Sequence, residues 1–307
     1  FPAIMKRNAI KASVTPVYSG LPPVLQENGY CNLFFMTHES QYDNMNAFLR
    51  TNGFDEIYAQ ENYPSEKVVN SFGVQDDFMY QYALPILNER AGTGNPFFSV
   101  LLSISNHPPY VIPPYFHPHS DVLEEQIVEY ADWSIRQFMQ AAEKQPWFDN
   151  TIFVFLGDHG KMVGTPECEM PQSYNHIPLM IYGKDIKPGV YDGFGGQVDV
   201  SPTLLGLLNI SYLQNNFGVN LLEEERPCMF FTADNLIGAR DSVNMFIYSP
   251  DSQQEFKYKL EEGKLHAATG TDEEAFRNLK DYCFSMLQST ESLVKEHKTL
   301  DKVSVKK

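Results

Sequence analysis

The stretch Thr151-Ile152-Phe153-Val154-Phe155-Leu156-Gly157-Asp158-His159-Gly160 decides the fold class. Its first six residues are strand-sized and almost wholly apolar, with no alternation of apolar and polar types. That pattern describes a strand buried on both faces, the kind found in parallel sheets covered by helices. The run stops at a polar turn flanked by glycines. Two other runs repeat the arrangement: Cys31 to Met36 (CNLFFM) leads into Thr37-His38-Glu39, and Phe97 to Ile104 (FFSVLLSI) leads into Ser105-Asn106-His107. In a parallel α/β sheet, ligands bind beyond the carboxyl ends of the strands. Three strands that end in His-bearing turns therefore predict a site at that edge.

Working outward, helical patterns alternate with these strands. A short one closes at Gly29, another runs from Asp43 to Leu49, and a third from Gln75 to Glu89, with Pro85 placed to kink it. A long amphipathic helix runs from Asp121 to about Lys144. Ile177 to Tyr182 (IPLMIY) reads as a strand and Val200 to Leu208 as a short helix. The expected fold is α/β, a mostly parallel sheet with helices on both faces. After Arg226 the pattern changes to antiparallel strands at Met229 to Thr232, Asn244 to Tyr248 and Glu255 to Leu260. A closing helix runs from Glu273 to about Glu296, and Lys298 to Lys307 read as a loose tail. We expect a catalytic core over 1–225 and a small α+β subdomain over 226–307.

Composition narrows the function. The 307 residues include 23 Lys and Arg against 39 Asp and Glu, a formal charge of −16, which argues against a nucleic-acid partner. An anionic substrate would need a local cation, and a metal ion would supply it. The four cysteines form no C-x-x-C pair. No apolar run approaches the ~20 residues that span a bilayer, and no signal peptide opens the chain. The chain begins Phe1-Pro2, and we read it as a processed or truncated piece.

Asp158-His159 is the sharpest candidate: an adjacent carboxylate and imidazole on a tight turn can both reach one divalent ion. His107, stiffened by Pro108-Pro109, can hold an anionic oxygen or pass a proton to a leaving group. His176 precedes its strand and would reach the site by a return loop. His38 and Glu39 carry a weaker signal, Gln41, Tyr42 and Asp43 a weaker one still. His117 and His119 read as part of a solvated Pro-rich loop.

The ordered set Ser105-Asn106-His107-Pro108-Pro109, Phe155-Leu156-Gly157-Asp158-His159-Gly160, His176-Ile177-Pro178-Leu179-Met180-Ile181 and Gln197-Val198-Asp199-Val200-Ser201-Pro202-Thr203-Leu204-Leu205 resembles the sulfatase-like catalytic domain of the lipoteichoic acid synthase family, within the alkaline phosphatase superfamily. Tyr18 to Pro22 and Gln41 to Met45 resemble that family's early segments. The resemblance implies transfer of a phosphoglycerol or phosphoethanolamine group from a phospholipid to a cell-envelope acceptor, through a covalent Thr or Ser intermediate. It implies one divalent ion, manganese first and zinc or magnesium otherwise, held by Asp158 and His159. His107 would contact the phosphate, with His176, His38, Gln41 and Asp43 as further substrate contacts. It also implies an extracytoplasmic location and a membrane tether in a longer protein.

Two departures bear on this. The family's nucleophile and acidic metal ligand match nothing in this chain, so we expect them upstream of Phe1 and expect the chain by itself to form no covalent intermediate; Ser13, Thr15 and Ser19 are the only early hydroxyls. The Trp and Arg that some relatives use are absent near Tyr42 to Met45. The rival readings are a sulfatase or phosphodiesterase, disfavoured on the sulfatase side by the lack of a C/S-x-P-x-R motif, and an inactive module that binds anionic head groups. We expect Asp158, His159, His107 and His176 to share one pocket.

Overall fold

The computed structural model describes residues 15–233, 235–268, 273–296 and 298–300. These residues form two units, one covering 15–151 and the other the described residues from 152 onward.

In chain order the first unit contains α1 (Leu21–Glu27), β1 (Cys31–Met36), α2 (Met45–Thr51), β2 (Glu56–Tyr58), β3 (Val68–Asn70), β4 (Gly73–Val74), α3 (Asp76–Gly92), β5 (Phe97–Leu102) and α4 (Leu123–Ala142). β1 lies between β2 and β5 and is parallel to both, with Phe34 opposite Ile57 on one side and Val100 on the other. The period of two along β1 serves both faces. Leu33 and Phe35 pack with Met79, Ala83 and Leu87 of α3, and Ile135 and Phe138 of α4 close that layer. Phe34 and Met36 pack with Leu49 of α2, Phe54 and Ala59. The parallel sheet with helices on both faces is thus present, and the continuous apolar run of β1 is its cause. Each fully buried Leu or Phe contributes ~1.5–3 kcal/mol.

Some element ends differ from the sequence reading. The strand expected through Ile104 stops at Leu102, because the main-chain N–H of Ile104 is taken by the Asp76 carboxylate. The helix expected from Asp43 begins at Met45: Asp43 and Asn44 are left-handed, with φ of 50° and 63°. α3 continues through Pro85 to Gly92.

The second unit contains β6 (Phe153–Leu156), α5 (Gln172–Asn175), β7 (Leu179–Tyr182), α6 (Gln197–Leu207), β8 (Met229–Ala233), β9 (Leu236–Arg240), β10 (Asn244–Ser249), β11 (Gln254–Glu261), β12 (Lys264–Ala267) and α7 (Glu273–Lys295). β7 pairs antiparallel with β6, Phe153 facing Tyr182. β8 to β12 form an antiparallel sheet in the order β12-β11-β10-β9-β8. Phe230, Ala239 and Phe246 on one face pack against Phe276, Leu279 and Cys283 of α7. Met245 and Ile247 on the other pack against Cys168 and Met170. The expected division at 225/226 falls inside this unit. There Arg226, only 9% exposed, clamps Asp199 of α6, which is fully buried.

Candidate active site

β1 and β5 run parallel as neighbours, so their carboxyl ends form one edge, and each carries a histidine just beyond it. His38 is buried, at 2% exposure. Its Nδ1–H donates to the Glu39 carbonyl at 2.9 Å, and its ring lies 4.8 Å from that of Tyr42. His107 is exposed. Its Nδ1–H donates to the Pro108 carbonyl at 2.7 Å, and its ring lies 4.3 Å from that of Phe72. Tyr42 and Phe72 are 6.2 Å apart, so the four rings form a chain from His38 to His107. A carbonyl can only accept, so each Nδ1 carries the proton and each Nε2 is left for another partner. Gln41 is exposed and Asp43 half-buried on the turn beside Tyr42. A small cleft under His107 is lined by Asn70, Phe72, Gln75 and Ser105.

This edge needs glycine at one point. Gly73 has a φ of +90°, and a Cβ there would lie 1.7 Å from the Thr37 carbonyl oxygen. Only glycine lets β4 pass beneath the His38 turn, where Val74 N–H donates to that same carbonyl.

Two acidic residues that the sequence reading passed over support the edge. Asp76 opens α3 at 1% exposure, and its carboxylate accepts the N–H groups of Ile104 at 2.9 Å and Ser105 at 3.2 Å. Burial pushes its carboxyl above the ordinary carboxylate range, against the pull of those hydrogen bonds. Asp77 accepts the hydroxyls of Tyr130 at 2.5 Å and Tyr115 at 2.8 Å. Burial, then the bond to Asp77, pushes the Tyr115 phenol up to about 12. An acidic pair in the first turn of a helix was the available sequence signal.

In the second unit Asp158 and His159 follow β6 on an exposed turn. His159 repeats the device of the other two histidines, its Nδ1–H donating to the Gly160 carbonyl at 2.7 Å. Its Nε2 lies 3.7 Å from Asp158 Oδ2. Gln197, at the start of α6, donates its side-chain amide to the carbonyls of Gly157 at 3.0 Å and Asp158 at 2.7 Å. Gly160 N–H donates to the Tyr174 carbonyl at 2.8 Å, and the Tyr174 ring lies 5.3 Å from that of His159. His176 is exposed and ends α5, its N–H bonded to the Gln172 carbonyl. The oxygen and nitrogen donors Asp158 Oδ2 and His159 Nε2 fit the ligand chemistry of manganese or zinc. Among the described residues no three His, Cys, Asp or Glu converge as a metal-ligand set.

Of the early hydroxyls, Thr15 and Ser19 are buried, and Ser13 lies outside the described residues. His119, exposed on the Pro-rich loop, meets Glu129 of α4.

The fold is that of the alkaline phosphatase superfamily. A member of that superfamily from Vibrio parahaemolyticus superposes with a TM-score of 0.83 at 26% identity, over 97% of this chain and 74% of that one. The lipoteichoic acid synthase LtaP from Listeria monocytogenes superposes with a TM-score of 0.76 at 22% identity, over 96% of this chain and 82% of that one. The sulfatase family model matches residues 5–210, and the chain belongs to that family. Lipoteichoic acid synthase 1 of Bacillus subtilis (strain 168) is 24% identical over 282 residues, 81% of this chain and 42% of that protein. Phosphoglycerol transferase I of Xanthomonas campestris pv. campestris is 25% identical over 238 residues, 73% of this chain and 34% of that protein. The chain spans less than half the length of these curated relatives.

Proposed function

We propose that this chain contributes to a metal-dependent phosphotransferase that moves a phosphoglycerol or phosphoethanolamine group from a phospholipid to a cell-envelope acceptor. The observation that carries the reading is the shared setting of His107 and His159. Both are exposed at turns that follow strands, and both have Nδ1–H tied to the next carbonyl, which leaves Nε2 to ligate an ion through its lone pair or, in the imidazolium form, to donate to a phosphoryl oxygen. The transferases among the relatives support the substrate class.

Asp158 and His159 hold the ion, which when bound neutralises phosphoryl charge and activates a hydroxyl nucleophile. A Thr or Ser oxygen forms the bond to phosphorus as the bond to the diacylglycerol oxygen breaks, and that oxygen takes a proton. An acceptor hydroxyl then attacks phosphorus, gives up its proton and frees the Thr or Ser. His107 binds the phosphoryl oxygens, and His176, His38, Gln41 and Asp43 serve the substrate. Residues 1–225 act as the catalytic core and 226–307 as an accessory subdomain. We place the protein outside the cytoplasm, tethered to a membrane; no helix among the described residues is long and apolar enough to cross one.

The test uses the full natural protein with fluorescent phosphatidylglycerol and phosphatidylethanolamine. Manganese-dependent release of diacylglycerol, abolished by Asp158→Ala and sharply reduced by His107→Ala, is the expected result. Faster turnover of an aryl sulfate ester than of either lipid overturns the reading.

A further inference from the structure

The turn that carries His107 is held by a carboxylate to which the proposed chemistry gives no task. Asp76 is buried, and among the described residues it has no cationic partner. A buried carboxylate without a cation is costly unless hydrogen bonds replace its water. The side-chain bonds of Asp76 go to one segment, Ile104–Ser105, chiefly to the main-chain N–H groups of the two residues. Its own N–H donates to Ser105 Oγ at 3.3 Å. Ser105 Oγ donates in turn to Gln75 Oε1 at 3.2 Å, and Gln75 Nε2 donates to the Val111 carbonyl at 2.9 Å. His107 N–H closes the figure by donating to the Ile104 carbonyl at 2.8 Å.

Gln75 and Asp76 therefore grip both ends of the segment from Ile104 to Val111, and His107 stands between the grips. Capping does not account for Asp76: Gln75 is the N-cap of α3, no side-chain cap bond is made there, and the Asp76 carboxylate turns to the strand-end loop instead. Its Oδ1 accepts both N–H groups and its Oδ2 also meets that of Ser105 at 3.3 Å, where an amide NH2 would set donor against donor. The start of a helix is also the place where the macrodipole favours a negative charge.

We propose that Asp76 is a positioning residue for His107, fixing the Ile104–Ser105 peptide so that the imidazole is held in one orientation, with Nδ1–H on the Pro108 carbonyl and Nε2, which donates in the imidazolium form, toward its phosphoryl ligand. This rests on the phosphotransferase reading of the site.

The test compares Asp76→Asn, His107→Ala and the double variant in the full natural protein. Asn keeps the shape and removes one acceptor. Asp76→Asn should keep its melting temperature within a few degrees yet lose about tenfold or more in kcat, with KM for the lipid nearly unchanged, because misplacement of a catalytic group acts on the transition state. In the His107→Ala background the same substitution should have no further effect. The His107 ring nitrogens in the NMR spectrum should change from one Nδ1–H tautomer to a mixture, a signal that needs no turnover. An Asp76→Asn protein with wild-type kcat and an unchanged ring spectrum overturns the inference. So does a loss that persists in the His107→Ala background. If no variant turns over lipid at all, the phosphotransferase reading fails, and the ring spectrum alone still decides the role of Asp76.

Discussion

The ring of Phe72 lies 4.3 Å from the imidazole of His107, tilted by 50°. Phe72 closes one side of the His107 cleft and also touches Tyr42, which covers His38. Phe72→Ala removes the surface against which His107 rests. It should lower kcat by about ten- to a hundredfold with little change in melting temperature. Steady-state kinetics with a fluorescent lipid, read beside a thermal melt, checks this; equal kcat in the two proteins counts against a bracing role.

Gln197 supports the Asp158 turn from outside the proposed ligand pair, through two main-chain carbonyls rather than through the carboxylate. Gln197→Ala should weaken manganese binding by about tenfold, as the loss of an outer partner does at metal sites. Gln197→Glu should weaken it at least as much, because a carboxylate cannot donate to carbonyls. Calorimetric titration of the three proteins gives the answer, and identical affinities would refute it.

Arg226 and Asp199 form a buried pair, bidentate at 2.6–2.9 Å, and Asp199 also accepts the N–H groups of Val219 and Gly196. Arg226→Met leaves a buried carboxylate without its cation and should cost about 3–5 kcal/mol of stability. Replacing both members by apolar residues should cost less than the single change. Urea melts of the second unit's signals measure the difference.

The pH dependence of stability should carry two opposing slopes. The bond from Arg90 holds the Glu56 carboxyl below the ordinary carboxylate range, and the Tyr58 hydroxyl adds to it. A depressed carboxylate stabilises the fold above the unfolded value of ~4.3, and that contribution fades as pH falls through the folded value. Burial has raised the Asp76 carboxyl, so its effect has the opposite sign: stability grows as pH falls through its folded value. Arg90→Gln should flatten the acid-side loss, and Asp76→Asn should remove the opposing gain. Melting temperatures between pH 3 and pH 7 test both.

Most of the frame was legible because its strands are locally extreme. β1, β5 and β6 are continuous apolar runs, and the polar turns after them carried the histidines and Asp158. The missing elements are those whose identity depends on a distant partner. β2 has three residues, one of them charged, and exists through its pairing with β1. β9 and β12 are short strands whose place comes from β8, β10 and β11. The antiparallel pairing of β6 with β7 has no local signature either. Asp76, Asp77 and Gln197 were passed over because what matters is which atoms they meet 28 residues or more away along the chain, main-chain groups for Asp76 and Gln197 and tyrosine hydroxyls for Asp77.

The bond from each imidazole to the carbonyl of the residue after it has an evolutionary consequence. His38 and His159 each set their own tautomer within a dipeptide, whereas the His107 dipeptide also leans on the peptide that Asp76 holds. Mutations can therefore rewrite distant loops, and with them the choice of acceptor, without re-tuning these rings. At those two positions, inheriting the dipeptide is enough to inherit the chemistry of its imidazole.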